Sequence, residues 1–399
     1  MKDLKHLIYF ENLLDEANNE LVRQAQSEGK LAIGYTCFHI PEAILNVGNC
    51  FSVRIRAPRT GSLDMSTYYM SNYTCEFSRA LLERALEGGY RFLDALIGVD
   101  ACSMMNRTME HFELLNVNEK PTFFVTHTDM PYKITDYMLE SYVKQMRLRV
   151  LDRLTEVYGV DTSDAAIRKA VEEHNEICAI ISEIGEMRKA DNPVITGYEF
   201  HVLNLVTYTC PKYLIIDKLR ETLEELKTRE PDPKPAFRAR VAIVGSEIDD
   251  PNLTKLIEGC GALVVSDRYC FGSTPGREII PLNDDEDALT QICRHDMEVA
   301  ECARYIADEK VQQRRDTADR LAKEFKADGI IYEQMKNCDY WGFERALVSH
   351  IMQEEYQWPV LSIDRLYNNG NSGQLRTRVQ AFVEALEIKK LNKNKGGNA

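Results

Sequence analysis

Eleven cysteines stand at positions 37, 50, 75, 102, 178, 210, 260, 270, 293, 302 and 338 of the 399-residue chain. None forms a Cys-x-x-Cys pair, which excludes zinc ribbons and thioredoxin-like redox motifs. An odd count argues against a complete disulfide framework, and in a reducing compartment these residues are thiols or metal ligands. Any metal site must therefore be assembled from cysteines far apart in sequence. Three of them share a setting. Cys75 opens a helical pattern after "MSNYT", Cys102 follows "FLDALIGVDA", and Cys338 follows "DGIIYEQMKN", the last two also preceding helices. The free N–H groups and dipole at a helix N-terminus favour the thiolate that metal ligation requires. Cys37 and Cys270 ("DRYCFGSTPG") also lie just beyond apolar, strand-like runs. Thiols reaching one cleft from several strand ends suit a soft, sulfur-rich centre, an iron–sulfur cluster more than zinc.

A single cysteine is more often a small buried hydrophobe than a ligand. That reading applies to Cys50, Cys178, Cys260 and Cys293, which fall inside or at the ends of helical patterns. Cys210 in "TYTCPK" and Cys302 in "AECARY" have no assigned chemistry and read as structural.

The elements that must position these thiols repeat along the chain. In the first region, "KLAIGYTC" (30–37), "FSVRIRA" (51–57), "RFLDALIGV" (91–99) and "PTFFVTH" (121–127) predict strands, with "PEAILNVGNC" (41–50) a helix between the first two. A helix starting at Cys75 is stopped by Gly88-Gly89, and another follows Cys102. In the second region, "RVAIVG", "GALVVSD", "DGIIYEQ" and "PVLSID" predict strands, with one long charged helix from 286 to 327 and another helix after Cys338. Strands alternating with helices predict an α/β fold: two similar doubly wound, Rossmann-like lobes with parallel sheets, plus a helical segment. The expected boundaries are 1–130 for the N-terminal lobe, 131–227 for the mainly helical segment, 228–239 for a Pro-rich linker, and 240–399 for the C-terminal lobe. Pro41 and Cys50 in the first lobe are spaced like Pro251 and Cys260 in the second, which suggests related lobes and a site in the cleft between them.

The net charge of −14 disfavours general affinity for nucleic acid or anionic membrane, so neither is an expected partner. No apolar run approaches a spanning helix, and the first twenty residues lack a signal-peptide pattern, so the expected location is cytoplasmic. No Walker A, GxSxG or complete GxGxxG motif occurs. "RIRAPRT" (54–60) carries three arginines and reads as a solvated basic edge, with phosphate binding the sharper alternative.

The ordered set Cys37 with "FHIPEAI", "YTCEFSR" at Cys75, "DAC" at Cys102, "NCDYW" at Cys338 and the closing "GQLRTRVQAFVEAL" resembles the 2-hydroxyacyl-CoA dehydratase and benzoyl-CoA reductase family, over nearly the whole chain. The resemblance implies a D-component-type subunit with a [4Fe–4S] cluster on Cys75, Cys102 and Cys338, leaving one iron open. It implies a homologous second subunit or a homodimer, an acyl-CoA substrate, and an ATP-hydrolysing iron–sulfur activator that supplies the electron for ketyl-radical chemistry. No catalytic residue beyond the ligands is implied. Two departures stand out. Phe38 replaces the small hydroxyl residue that often follows the first cysteine, and Cys270 stands where relatives often lack a cysteine. Cys37 and Cys270 are thus possible additional residues of the cluster pocket. A related branch carries a double-cubane [8Fe–9S] cluster and needs about six cysteines; five are assigned here and the Cys-x-Cys of that branch is absent, so the single cubane ranks first. A third reading is a non-catalytic partner of a catalytic paralogue.

Overall fold

The computed structural model describes residues 1–100, 102–367 and 372–396, so Ala101 of the "DAC" tripeptide lies outside the described residues. In the first lobe, β1 (Leu31–Tyr35), β2 (Cys50–Arg54), β3 (Ala95–Val99) and β4 (Phe124–Thr128) form a parallel sheet in the order β2-β1-β3-β4. In the second, β5 (Ala239–Gly245), β6 (Ala262–Tyr269), β7 (Gly329–Met335) and β8 (Val360–Arg365) form a parallel sheet in the corresponding order, β6-β5-β7-β8. β2, β3, β5 and β6 are buried along their whole length, as strands of parallel sheets covered by helices on both faces must be. The doubly wound two-lobe expectation is met, and the order reverses between β1 and β3 and between β5 and β7. Such switch points are where ligands collect in open α/β sheets.

The helical part joins the lobes. In the 136–158 stretch Tyr142, Met146, Val150 and Leu154 are buried, while Met138 at the edge of the same face is exposed. The helix Gly197–Thr209 is buried on all sides and packs on β2 of one lobe and β6 of the other. Gly197 permits that approach, since a Cβ there would lie 2.4 Å from the carbonyl oxygen of Val264. No helix among the described residues is long and apolar enough to cross a membrane.

Three local readings are corrected. "PEAILNVGNC" forms only a short 3-10 turn, Glu42–Asn46, and Cys50 is the first residue of β2, not the end of a helix. The long helix expected over 286–327 is two helices, Ala288–Val299 and Asp308–Glu324, joined by a loop that turns at Ala303–Arg304. Tertiary contacts hold that break open. Arg268 on β6 pairs with Glu301 (Nε to Oε2, 2.9 Å), and Thr317 donates to Glu301 Oε1 at 2.6 Å. Lys310 donates to the carbonyls of Met297, Glu298 and Ala300, satisfying the end of the first helix. Lastly, Arg54 and Arg56 of "RIRAPRT" are no solvated edge: both are buried, donating to the Cys270 and Asp249 carbonyl oxygens of the other lobe.

Candidate metal centre

Cys75, Cys102 and Cys338 are each the N-cap residue of the helix that follows: Glu76–Leu86, Ser103–Leu114 and Asp339–Glu354. β3 and β7 end just before two of these helices, which directs Cys102 and Cys338 to the carboxyl edges of the sheets. Glu76 N donates to the Lys336 carbonyl across the lobes, bringing Cys75 to Cys338. Cys37 follows β1 and Cys270 follows β6. The structure brings all five together around one cavity, with about 70 Å³ open to the centres of water-sized groups, where Cys302 joins them.

Cys302 is the residue that sequence reading missed. It sits on the segment between the Ala288–Val299 and Asp308–Glu324 helices, and its backbone carbonyl accepts from Arg314 at 3.1 Å. Read as part of a continuous helix, it would not reach a strand-end site. Cys50, Cys178, Cys210, Cys260 and Cys293 do not line the cavity. Cys178 contacts His174 and Cys210 lies beside Asn19, both as buried structural thiols.

The rest of the wall is mostly apolar: Phe38, Phe77, Val99, Met105, Tyr340 and Trp341 contribute, with Thr36, Ser78 and Glu247 as its polar groups. Burial pushes the Cys37 thiol up to about 12 and Cys102 to about 11, and raises Cys270 and Cys302. Cys75 is the exception. A hydrogen bond from Cys338 holds it below the ordinary thiol range against burial, helped by the N–H groups of Ser78 and Phe77, and Cys338 is raised in turn. Buried thiols of this kind stay neutral until a positive centre draws off their protons. Glu247 is raised to about 7 by burial, with Arg54 Nη2 3.5 Å from its Oε2 opposing the rise.

These groups fit an iron–sulfur cluster. Sulfur is the dominant donor, the wall excludes water, and the buried Thr36 hydroxyl has no protein hydrogen-bond partner. Among the described residues no three His, Cys, Asp or Glu side chains meet closely enough for a single metal ion.

Comparison with known proteins bears on this pocket. The family described as "2-hydroxyglutaryl-CoA dehydratase, D-component" matches residues 37–386, a span containing all six pocket cysteines. The chain is 24% identical to the (R)-phenyllactyl-CoA dehydratase beta subunit of Clostridium sporogenes over 378 residues, covering 94% of this chain and 97% of that protein. It is 20% identical to a benzoyl-CoA reductase subunit of Thauera aromatica, covering 89% of this chain and 91% of that one. With the beta subunit of lactoyl-CoA dehydratase from Anaerotignum propionicum it shares 22% identity over 90% and 92% of the two chains.

Proposed function

The chain belongs to the 2-hydroxyglutaryl-CoA dehydratase D-component family, an enzyme subunit of the dehydratase and reductase type, and from that premise we propose that its six-thiol pocket holds an iron–sulfur cluster serving one-electron chemistry on an acyl-CoA thioester. Its partners on this reading are a homologous second subunit or a second copy, and an ATP-hydrolysing iron–sulfur activator. The names of the relatives, all subunits of CoA-thioester dehydratases or reductases, support both substrate class and partner.

The observation that carries the reading is the convergence of six cysteines, from loops of both lobes, on one desolvated cavity. Cys75, Cys102 and Cys338 alone would hold one cubane with an open iron. Cys302 raises the count to the six that a double cubane requires, which favours the [8Fe–9S] form over a single [4Fe–4S] cluster, and a thiol-rich pocket over a cluster-free scaffold. When bound, such a cluster supplies low-potential electrons and iron able to act as a Lewis acid.

The chain's own residues set the surroundings. Phe77, Met105, Tyr340 and Trp341 exclude water, which strengthens every charge interaction inside. Glu247 can hold a proton on its carboxyl near neutrality, and Arg54 orients it. Phe38 offers no hydrogen bond to a departing hydroxyl, which leaves that role to the polar groups of the wall, Thr36, Ser78 and Glu247. Iron and acid-labile sulfide analysis of anaerobically purified protein tests the proposal. About eight irons per chain are expected, about four would restore the single cubane, and none would overturn the reading.

A further inference from the structure

Phe38 lines two cavities. One is the six-thiol pocket; the other is bounded by Tyr35, Glu42, His174, Glu278, His295 and Asp296, among others. The second has about 50 Å³ open to the centres of water molecules. One water needs roughly 10–15 Å³ on that measure and two to four polar partners.

Those partners are present. The Tyr35 hydroxyl and His174 Nδ1 have no protein hydrogen-bond partner, in residues that are fully buried and 6% exposed. His174 Nδ1 stands 4.0 Å from Glu42 Oε2, too far for a hydrogen bond and within the span of one bridging water. Glu42 itself is neutralised by Arg277 and Lys212, both at 2.6 Å. Glu278, His295 and Asp296 are half-buried and so within reach of solvent.

Asp296 is also held in place. The Tyr142 hydroxyl lies 2.7 Å from Asp296 Oδ2 and 2.9 Å from the carbonyl oxygen of His39, next to Phe38. A hydroxyl has one proton to donate. Tyr142 donates to both, its proton shared between the Asp296 carboxylate and the His39 carbonyl. Burial raises Asp296 to about 7, against the Tyr142 hydrogen bond that lowers it.

We propose that this second cavity is a hydrated proton-supply compartment for the six-thiol pocket, fed by Asp296 and closed from the pocket by the Phe38 ring. In operation Asp296 gives its proton to an adjacent water, each water passes one proton on, the last one to a base in the thiol pocket when the Phe38 ring turns aside, and the Asp296 carboxylate is reprotonated from bulk solvent; no electrons move in this step. Gly276, at φ +119°, stands beside the partition, and a Cβ there would lie 2.6 Å from the Tyr208 hydroxyl. The inference rests on the function proposed above, because only chemistry in the thiol pocket consumes the protons.

Two measurements test it on the holoprotein. An anaerobic crystal structure should show ordered waters on Tyr35 Oη and His174 Nδ1. Pulsed EPR of the reduced cluster after rapid mixing into deuterium oxide should show deuterons reaching the pocket. Their arrival should be several-fold faster in Phe38→Ala, or in Phe38→Leu should that variant misfold, and several-fold slower in Asp296→Asn. A normal cluster signal with a dry second cavity, or with equal exchange in all variants, overturns this inference alone. The lack of any cluster signal overturns the function proposed above, and this inference with it.

Discussion

The guanidinium of Arg54, at the end of β2, donates to the carbonyl oxygen of Cys270, just beyond β6, and lies 3.7 Å over the Phe271 ring. One buried side chain from the first lobe thus fixes a pocket thiol of the second. The same guanidinium is the counter-charge of Glu247. Arg54→Met would leave the buried Cys270 carbonyl without its donor and the Phe271 ring without the guanidinium, a change that costs about 2 kcal/mol of stability. Urea unfolding of the two proteins measures it, and equal midpoints would refute the pinning role.

Cys302→Ala should lower the iron content to about half that of the unaltered protein, or less, as should alanine at Cys75, Cys102 or Cys338. Cys293→Ala is the control, a buried thiol on the Ala288–Val299 helix that does not line the pocket. Equal iron in Cys302→Ala and Cys293→Ala would remove Cys302 from the ligand set.

Glu301 holds the segment that carries Cys302, through Arg268 and Thr317. Glu301→Ala breaks that buried pair and should both lower stability by about 3 kcal/mol and reduce iron as Cys302→Ala does. In protein stripped of iron, the Cys302 thiol should react faster with iodoacetamide than in the unaltered chain. Mass spectrometry of the labelled peptide reads this directly, and an unchanged labelling rate would show that other contacts place the segment.

Glu42 gives a pH test away from the thiols. Burial would raise its carboxyl, but Arg277 and Lys212 outweigh burial and hold it below the ordinary value of 4.5. A depressed carboxylate contributes stability that is present above the unfolded value and is lost as pH falls toward the folded one. Glu42→Gln should therefore be about 3 kcal/mol less stable at pH 7, with the gap to the unaltered protein shrinking below about pH 4.5. A gap that stays constant down to pH 3 would contradict the pairing.

Much of this protein is determined by its local sequence. Short apolar runs such as "LAIGY", "ALIGV" and "GIIYEQM", each leading into a loop and two of them on to a helix, can form only buried parallel strands, and that placement carries Cys37, Cys102 and Cys338 to the sheet edges. The helix start after Cys75 is equally local. Tertiary structure alone decided the rest. Residues 300–307, "AECARYIA", contain no Gly or Pro, and their intrinsic preference is helical. The chain breaks there because Arg268, Arg314 and Lys310 bind backbone and side-chain oxygens of the segment, and those contacts exist only once β6 and the following helix are in place. Arg54 likewise reads as surface charge until the second lobe covers it, its partner carbonyl lying 216 residues away. Propensity and periodicity act over one or two helical turns, whereas burying a charge or breaking a helix depends on groups that only folding brings near; that is why five of the six pocket thiols were legible in the sequence and the sixth was not.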